Sequence, residues 1–574
     1  MNRTSLLNEL WRFQNKEGYI SQKAISQLAH SLKISTLEIE GVVSFYHFFH
    51  QQPTGKYIIY LNSSIISELK GFQHIKTAFE KETGCTFGEY DDNSQFSLFE
   101  TSCIGLSDQE PAALINFYPF TNLTVKKVKT IVEQLKNGGN LESISSSFTS
   151  KIQYTPTEDR TILFRDYKIG NSIKKLEKYS SSEILDTISK SKLTGRGGAF
   201  FPTAKKWQYC KESKSEKKYI ICNADEGEPG TFKDKSLLNN LPGLIIEGMI
   251  ISAYVTGAKE GFIYLRAEYK YLLHILENTI EKFQQKGILG NNICNIKNFN
   301  FSIKVKLGAG SYVCGEEKAL IESLEGKRGE PRIQKYFPTE NGYLGYSTIV
   351  NNVETFAKAA RVIELGSNFI SKIGTKESKG TKLVSISGDI AKPGIYEIEW
   401  GTTVKQLLKL CEALSPYYIQ ISGPSGECIN ETEFDRKICE EDLVCGGSIM
   451  IFNRSRDILQ IQKNFMKFFK IESCGVCTPC RAGNQILYEK IKKFDRGLCT
   501  QKDIEDIKKW GEIMKLSSRC GLGKTSPNSL IMAVDKFKGY FNLKISPTTE
   551  SQHIEFDMEQ AIQEYDNIIK ETQY

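Results

Sequence analysis

No stretch of this 574-residue chain stays apolar long enough to cross a bilayer as one helix. The most apolar helical run, LPGLIIEGMIISAYVTG at 241–257, carries Pro242 and Glu247 and reads as a buried core helix. The opening MNRTSLLNELWRFQNKEGYI lacks an uninterrupted apolar segment of the signal-peptide kind and is expected to form an amphipathic helix. A basic stripe is also missing. Lys and Arg number 75 against 68 Asp and Glu, and the net charge of +7 is mixed throughout, so nucleic acid is not an expected partner. The 15 cysteines are odd in number and form no regular disulfide framework. These absences predict a chain of the reducing cytoplasm, without membrane insertion, in which neighbouring thiols are ligands rather than bridges.

The length is enough for roughly four domains. Helical periodicity (Leu6, Leu7, Leu10, Trp11, then Ile25, Leu28, Ala29, Leu32) marks residues 1–55 as a helical segment. Over 56–140 the pattern changes: KYIIYLN, FSLFET and EPAALINF read as strands, and IKTAFEKETG reads as a helix ending at Gly84, a small α/β unit. Residues 137–160, rich in Ser, Gly and Thr, read as a linker. Over 160–375, the strand-like runs KYIICN, GFIYLRAE and FSIKVKL each lead into a glycine-rich or acidic loop. Residues 376–455 are β-rich and suggest a β-grasp module, 456–545 are mostly helical, and 546–574 form a tail.

ESCGVCTPCRAG places Cys474, Cys477 and Cys480 at three-residue intervals. That spacing is the iron–sulfur style, since structural zinc more often uses two separated C-x-x-C pairs. The residues alone leave two candidates for a fourth ligand, Cys499 and Cys520. Cys499 stands just before TQKD, a capping-box helix start, which suits a structural thiol.

Three loops suit a nucleotide. In KLTGRGGAFFPTAKKW (192–207), Gly195, Gly197 and Gly198 let backbone N–H groups converge on a phosphate, with Arg196, Lys205 and Lys206 nearby. A Rossmann fingerprint needs a preceding strand and a glycine at 200; here a helix, SEILDTISKS, precedes and residue 200 is Phe. In YIICNADEGEPGTFKD (219–234) a strand runs into Asn223, Asp225, Glu226 and Glu228. Alone, that acidic turn reads as solvated. Beside the glycine loop, its carboxylates suit ribose and would repel a 2′-phosphate, favouring NAD over NADP. KLGAGSYVCGEEKALIESLEG (306–326) reads as strand, glycine loop and a helix from about Gly315 to Leu324, with Glu316 and Glu317 suiting its first turn.

In this order, GRGGAFFPTAKKW, CNADEGEPGTFKD, GAGSYVCGEEKALIE, GEPR, VNNVET and ESCGVCTPCRAG resemble the flavin-bearing, NADH-oxidising subunit of respiratory complex I and its relatives, over roughly residues 160–540. The resemblance implies one FMN, one NAD(H) site and one 4Fe–4S cluster, and it points to Cys520, in SSRCGLG, as the fourth ligand. The first 150 residues resemble the thioredoxin-like 2Fe–2S partner of that subunit, fused in front. That family carries C-x4-C and C-x3-C pairs, where this chain has Asn62 and Ser67, then Cys103 and Ser107. One thiolate falls short of four ligands, so this domain is expected to be cluster-free. The fusion, the cluster loss, and FETSCIGLSDQEP, QISGPSGEC and SSRCGLGKTSP look most like the diaphorase flavoprotein (alpha) subunits of NAD-reducing, bidirectional nickel–iron hydrogenases.

Carried over, the resemblance assigns Gly195, Arg196, Gly197, Lys206, Asn223, Asp225, Tyr312, Gly315, Asn351 and Asn352 to FMN. It assigns Phe201, Glu226, Glu228, Glu317 and Phe337 to NADH, with Glu316 beside them, and it names no catalytic acid. Two positions depart: Phe200 replaces a usual glycine, and Gln334, followed by Lys335, replaces a usual basic residue, both on the NADH side. The expected partners are an iron–sulfur diaphorase subunit and hydrogenase subunits, because no second paired C-x-x-C set exists here for nickel and iron. The flavoprotein of an NAD-dependent formate dehydrogenase or of complex I is the alternative within the superfamily. From another class, the alternative is an inactive partner-binding paralogue.

Overall fold

The computed structural model describes residues 2–90, 95–333 and 335–547; Gln334 and all but the first two residues of the predicted 546–574 tail lie outside them. Three helices open the chain: Leu6–Glu17, Gln22–Leu32 and Thr36–Val43. Ser21 caps the second through the Ala24 N–H, and Ser35 with Glu38 forms a capping box on the third. Their apolar stripe (Leu10, Trp11, Ile25, Leu28) packs with Phe48 and Phe49 against Tyr264, Leu320 and Leu324, so the helical leader covers one face of the central domain.

A thioredoxin-like sheet follows. Strands β1 (Tyr57–Asn62) and β2 (Phe96–Thr101) are parallel, β3 (Ala113–Ile115) and β4 (Tyr118–Phe120) form a hairpin, and the order is β2-β1-β3-β4. The third strand expected from the sequence, EPAALINF, ends in a turn at Asn116 and Phe117, both at positive φ, and a further strand, β4, returns beside it, a hairpin that alternation alone does not reveal. Helix Phe72–Thr83 ends where expected, at Gly84 with φ 79°. The predicted linker is more ordered than its composition suggests: it holds the short helix Leu141–Ile144 and strand β5 (Ile152–Tyr154).

The central domain carries four parallel strands, β6 (Lys218–Ala224), β7 (Glu260–Leu265), β8 (Ser302–Leu307) and β9 (Ser347–Asn352), in the order β8-β7-β6-β9. The order reverses between β6 and β9, and such switch points open crevices at the carboxyl ends of strands. Behind the sheet, helix Pro242–Thr256 is buried almost all round and lies along helix Val353–Leu365. The two backbones meet closely at Gly248, where a Cβ would run into the Phe356 carbonyl. Glu247, inside that apolar helix, is satisfied by the Tyr167 hydroxyl at 2.7 Å, the Gly170 N–H at 2.6 Å and Ser172. Among the described residues no single helix is long and apolar enough to cross a membrane.

Strands β10 (Thr381–Gly388), β11 (Gly394–Glu399), β12 (Pro416–Ile421), β13 (Glu427–Ile429) and β14 (Ser448–Asn453), with helix Val404–Leu410, form a β-grasp: the first and last strands run parallel at the centre. The linker strand β5 adds to its β11 edge, giving the order β13-β12-β14-β10-β11-β5. Helices Ile458–Glu472, Thr478–Asp495, Gln501–Ser517 and Asn528–Lys536 form the bulk of the C-terminal bundle.

Candidate active site and cluster centre

The three nucleotide-type loops meet at the carboxyl ends of the central strands. Asn223 is the penultimate residue of β6, and its Nδ2 donates to the Gly315 carbonyl at 2.8 Å, tying the acidic loop to the third loop. Asn351 and Asn352 end β9; Gly197 of the glycine loop lies so close to Asn352 that a Cβ there would stand 3.2 Å from the Asn352 Cβ. The glycine loop therefore sits over the switch point. Its base is closed by the Gly195 N–H on the Phe201 carbonyl at 2.9 Å, while Gly198, at φ 110°, faces open space.

Several of these side chains are already engaged. Lys206 pairs with Glu317 at 2.8 Å and donates to the Val350 carbonyl at 2.8 Å, while Asn351 accepts from the Trp207 indole at 2.9 Å. Asn352 caps helix Val353–Leu365 and donates to Asp234 at 2.6 Å. Glu316 is the N-cap of helix Glu317–Leu324, accepting from Lys318 and Ala319, so that helix starts two residues after the expected Gly315. Glu226 and Glu228, separated only by Gly227, go separate ways. Glu226 turns inward, accepting the Asp234 N–H at 2.7 Å, the Lys235 N–H at 3.1 Å and the Tyr269 hydroxyl at 2.9 Å. Glu228 accepts from the Tyr312 hydroxyl and from the Ser425 N–H at 2.9 Å, linking the acidic loop to the β-grasp. Phe201 and Phe337 present exposed rings, 42% and 58% accessible, the latter on the loop before helix Pro338–Asn341.

The electrostatics suit an anion. Beneath the glycine loop, Glu354 lies buried among Lys382 at 2.5 Å, Lys233 at 3.2 Å and Lys358 at 3.4 Å. Burial would raise its pKa, but the three ammonium groups hold it below the ordinary carboxylate range. Burial in turn lowers Lys382 to about 8 and Lys358 to about 7. Lys382 also reaches the Arg196 carbonyl at 3.3 Å. Three lysines against Glu354 and Asp234, below a glycine loop that is open at Gly198, fit a flavin nucleotide phosphate. In the acidic loop, burial first and then Glu268 and Glu472 raise Asp225 to about 8, with Arg266 opposing. The lysine of TFKD, Lys358, Lys382 and VNNVET's glutamate had no role assignable from sequence, because their meeting depends on elements far apart in the chain.

Tyr312 joins this site to the cluster region. Its N–H donates to Glu472 at 2.9 Å, two residues before Cys474, and its ring packs edge-on against Phe468 at 4.9 Å. Cys477 is the N-cap of helix Thr478–Asp495, Cys480 lies in its first turn, and Cys520 is the N-cap of Gly521–Thr525. Helix N-termini favour thiolates. Asn484 donates to the Cys480 sulfur at 3.3 Å, with Ser473 Oγ also at 3.3 Å. Burial and then the nearby Cys477, Cys520 and Cys474 thiols push Cys480 up to about 12. Gly523 lets the Cys520 turn close in, since a Cβ there would sit 2.9 Å from the Cys480 Cβ. Cys499 is fully buried beside Thr500, whose capping box with Asp503 forms as expected, and its charged neighbours are Asp503, Lys493 and Lys490. Among the described residues, no three His, Cys, Asp or Glu side chains converge tightly enough for a single ion. The C-x-x-C-x-x-C spacing, with Cys520 brought beside Cys480, suits a polynuclear cluster better than one zinc.

The thioredoxin-like domain presents the opposite chemistry. Asn62, Ser67, Cys103 and Ser107 are all buried. Asn62 donates to Glu110 and accepts the Ser64 N–H at 3.0 Å, while Cys103 Sγ lies 3.6 Å from Ser107 Oγ. Burial raises Glu110 to about 8. Lys235, reaching in from the central domain, is also buried; burial lowers it while Asp108, Glu226, Cys103 and Glu110 draw it back up. A 2Fe–2S cluster does not fit one thiol among amide, hydroxyl and carboxyl groups.

Comparison with known proteins agrees with this division. Residues 188–361 match the Nuo51 FMN-binding domain, residues 1–136 the thioredoxin-like [2Fe-2S] ferredoxin family, and residues 460–544 the NADH-ubiquinone oxidoreductase-F iron-sulfur binding region. The NAD-reducing hydrogenase HoxS subunit alpha of Cupriavidus necator is 43% identical, covering 100% of this chain and 97% of its own. The NADP-reducing hydrogenase subunit HndC of Solidesulfovibrio fructosivorans is 37% identical over 69% of this chain and 82% of its own. The crystal structure of an NAD+-reducing [NiFe]-hydrogenase in the H2-reduced state contains a chain that superposes with a TM-score of 0.89 at 32% identity, covering 99% of this chain and 98% of that one. With identity sustained from end to end, and with both the fused thioredoxin-like domain and the four-thiol centre in place, the chain belongs to the family of NAD-reducing hydrogenase alpha subunits.

Proposed function

We propose that this chain is the diaphorase subunit of an NAD-reducing hydrogenase assembly, exchanging electrons between NAD(H) and partner subunits through FMN and one 4Fe–4S cluster. The observation that carries the reading is Tyr312: one residue closes the acidic loop through Glu228 and abuts the helix that delivers Cys474. Held there, FMN would supply two-electron exchange with NAD(H) and one-electron exchange with the cluster. The chain's own part is positional. The glycine loop and the lysine cluster below it would hold the phosphate, with Lys206, Asn223, Asp225 and Asn352 lining the same crevice. Phe201 and Glu228 would orient the nicotinamide dinucleotide, and hydride transfer between stacked rings needs no protein acid. Glu226 would serve by fixing the acidic loop. Cys474, Cys477, Cys480 and Cys520 would hold the cluster at the exit toward an iron–sulfur partner subunit and the hydrogenase subunits, in the cytoplasm.

The domain limits we propose are 1–55, 56–140, 160–375, 376–455 and 456–545, with β5 as the exception that ties the linker to the β-grasp. The test is anaerobic benzyl viologen reduction by the purified, iron-reconstituted chain with FMN, comparing NADH with NADPH and counting iron. Activity with NADH alone at about four irons per chain is the expected result. Bound FMN and four irons without turnover would replace this reading with a partner-binding paralogue.

A further inference from the structure

Both ends of the glycine loop grip one indole that lies about 200 residues downstream. Trp400, just after β11, is 2% exposed. The Arg196 guanidinium lies 5.0 Å from its ring centroid, and Phe200 meets it edge-on at 6.2 Å and 64°. Arg196 is further fixed to the β-grasp by Glu440 at 3.1 Å and the Lys379 carbonyl at 3.4 Å, and Thr194 also bonds Glu440. Between the two grips, Gly198 touches little; the nearest approach to it from the β-grasp comes at Gly446, whose Cβ would stand 3.7 Å from the Gly198 Cα.

The backbone at Phe200 makes this arrangement informative. Its φ is +51°, in the left-handed region that disfavours a bulky side chain and that glycine adopts freely. Such a conformation persists only where the surroundings over-determine it. Here the surroundings are the β-grasp core, against which the Phe200 ring packs. The residue is therefore present for its ring, in spite of its backbone.

We propose that Trp400 and Phe200 are positioning residues for the glycine loop. The indole holds Arg196 and Phe200 together, keeping the Gly197–Gly198 backbone spread for the flavin nucleotide, so the β-grasp module sets affinity at the site by packing, beyond the charge that its Lys382 brings there. The proposal rests on the reading of this crevice as the FMN and NADH site.

The experiment compares Phe200→Gly, Trp400→Ala and Trp400→Phe with the wild type as full-length, reconstituted chains. It measures the FMN dissociation constant by flavin fluorescence, KM and kcat for NADH, and trypsin cleavage after Arg196 in the FMN-free chain. Phe200→Gly and Trp400→Ala are expected to weaken FMN binding and raise KM about fivefold, the scale of one lost aromatic or cation–π contact, with a smaller fall in kcat and faster cleavage. Trp400→Phe should recover most of the FMN affinity. Unchanged or tighter FMN binding and unchanged cleavage in Phe200→Gly would overturn the proposal, and that variant decides even if Trp400→Ala does not fold. A wild type that binds FMN without oxidising NADH would sink the functional reading, while the FMN and cleavage comparisons would still judge the positioning role.

Discussion

Two regions of this chain descend to the same kind of site and have diverged in what fills it. In the C-terminal bundle, three of four cysteines stand at helix N-termini and the fourth, Cys474, follows the end of helix Ile458–Glu472, with Asn484 and Ser473 directed at one sulfur. In the thioredoxin-like domain, three of four ligand positions have become Asn62, Ser67 and Ser107, and the buried space is knit by an amide, a carboxyl and hydroxyls. The sheet and its helices remain. Losing a cluster does not empty a buried site: Asn62 and Glu110 pair with each other, while Asp108 Oδ1, Glu110 Oε2 and the Lys235 ammonium are buried without a hydrogen-bond partner among the described residues, which is costly. The bundle, by contrast, keeps Cys480 buried, its thiol pKa raised first by burial, with three further thiols beside it that a metal would bind as thiolates.

The sharpest test of this contrast is Cys520→Ser beside Cys499→Ser. The first should take iron from about four per chain to less than one and reduce viologen turnover at least tenfold; the second should leave iron intact. Equal losses would place the fourth ligand elsewhere. Next comes Glu110, whose folded pKa of about 8 exceeds its ordinary 4.5. Between those values the folded chain keeps a proton that the unfolded chain has released, so stability falls as pH rises through that window. Glu110→Gln should abolish the slope, and its stability advantage in urea unfolding should grow from pH 4.5 to 8, reaching on the order of 3 kcal/mol. Asn62→Ala, which strips Glu110 of its amide donor, should cost about 2 kcal/mol with iron unchanged. The smallest effect expected is from Tyr312→Phe. It removes the bond to Glu228 but keeps the ring on Phe468, so KM for NADH should rise about threefold with the iron content constant.

The sequence exposed those features that are local. Alternating strands, the Gly84 stop, the Thr500 capping box and the C-x-x-C-x-x-C run all lie within a few residues. It concealed whatever depends on distant pairing. Glu226 and Glu228 look equivalent in DEGE, yet one is consumed by the N–H groups of Asp234 and Lys235 while the other faces Tyr312 and Ser425. Trp400 carried no signal, since its partners lie across a domain boundary. The departure at Phe200 was visible, but its left-handed backbone and its ring contact were not.

The strand β5 changes what separating this protein into parts would mean. Because residues 152–154 complete the β-grasp edge before the chain has entered the central domain, the modules are nested rather than strung in series. A fragment beginning at residue 160 would leave the β11 edge with unpaired N–H and C=O groups, a template for strand addition by another molecule. Such a fragment should self-associate, whereas one beginning near residue 145 should keep its edge closed.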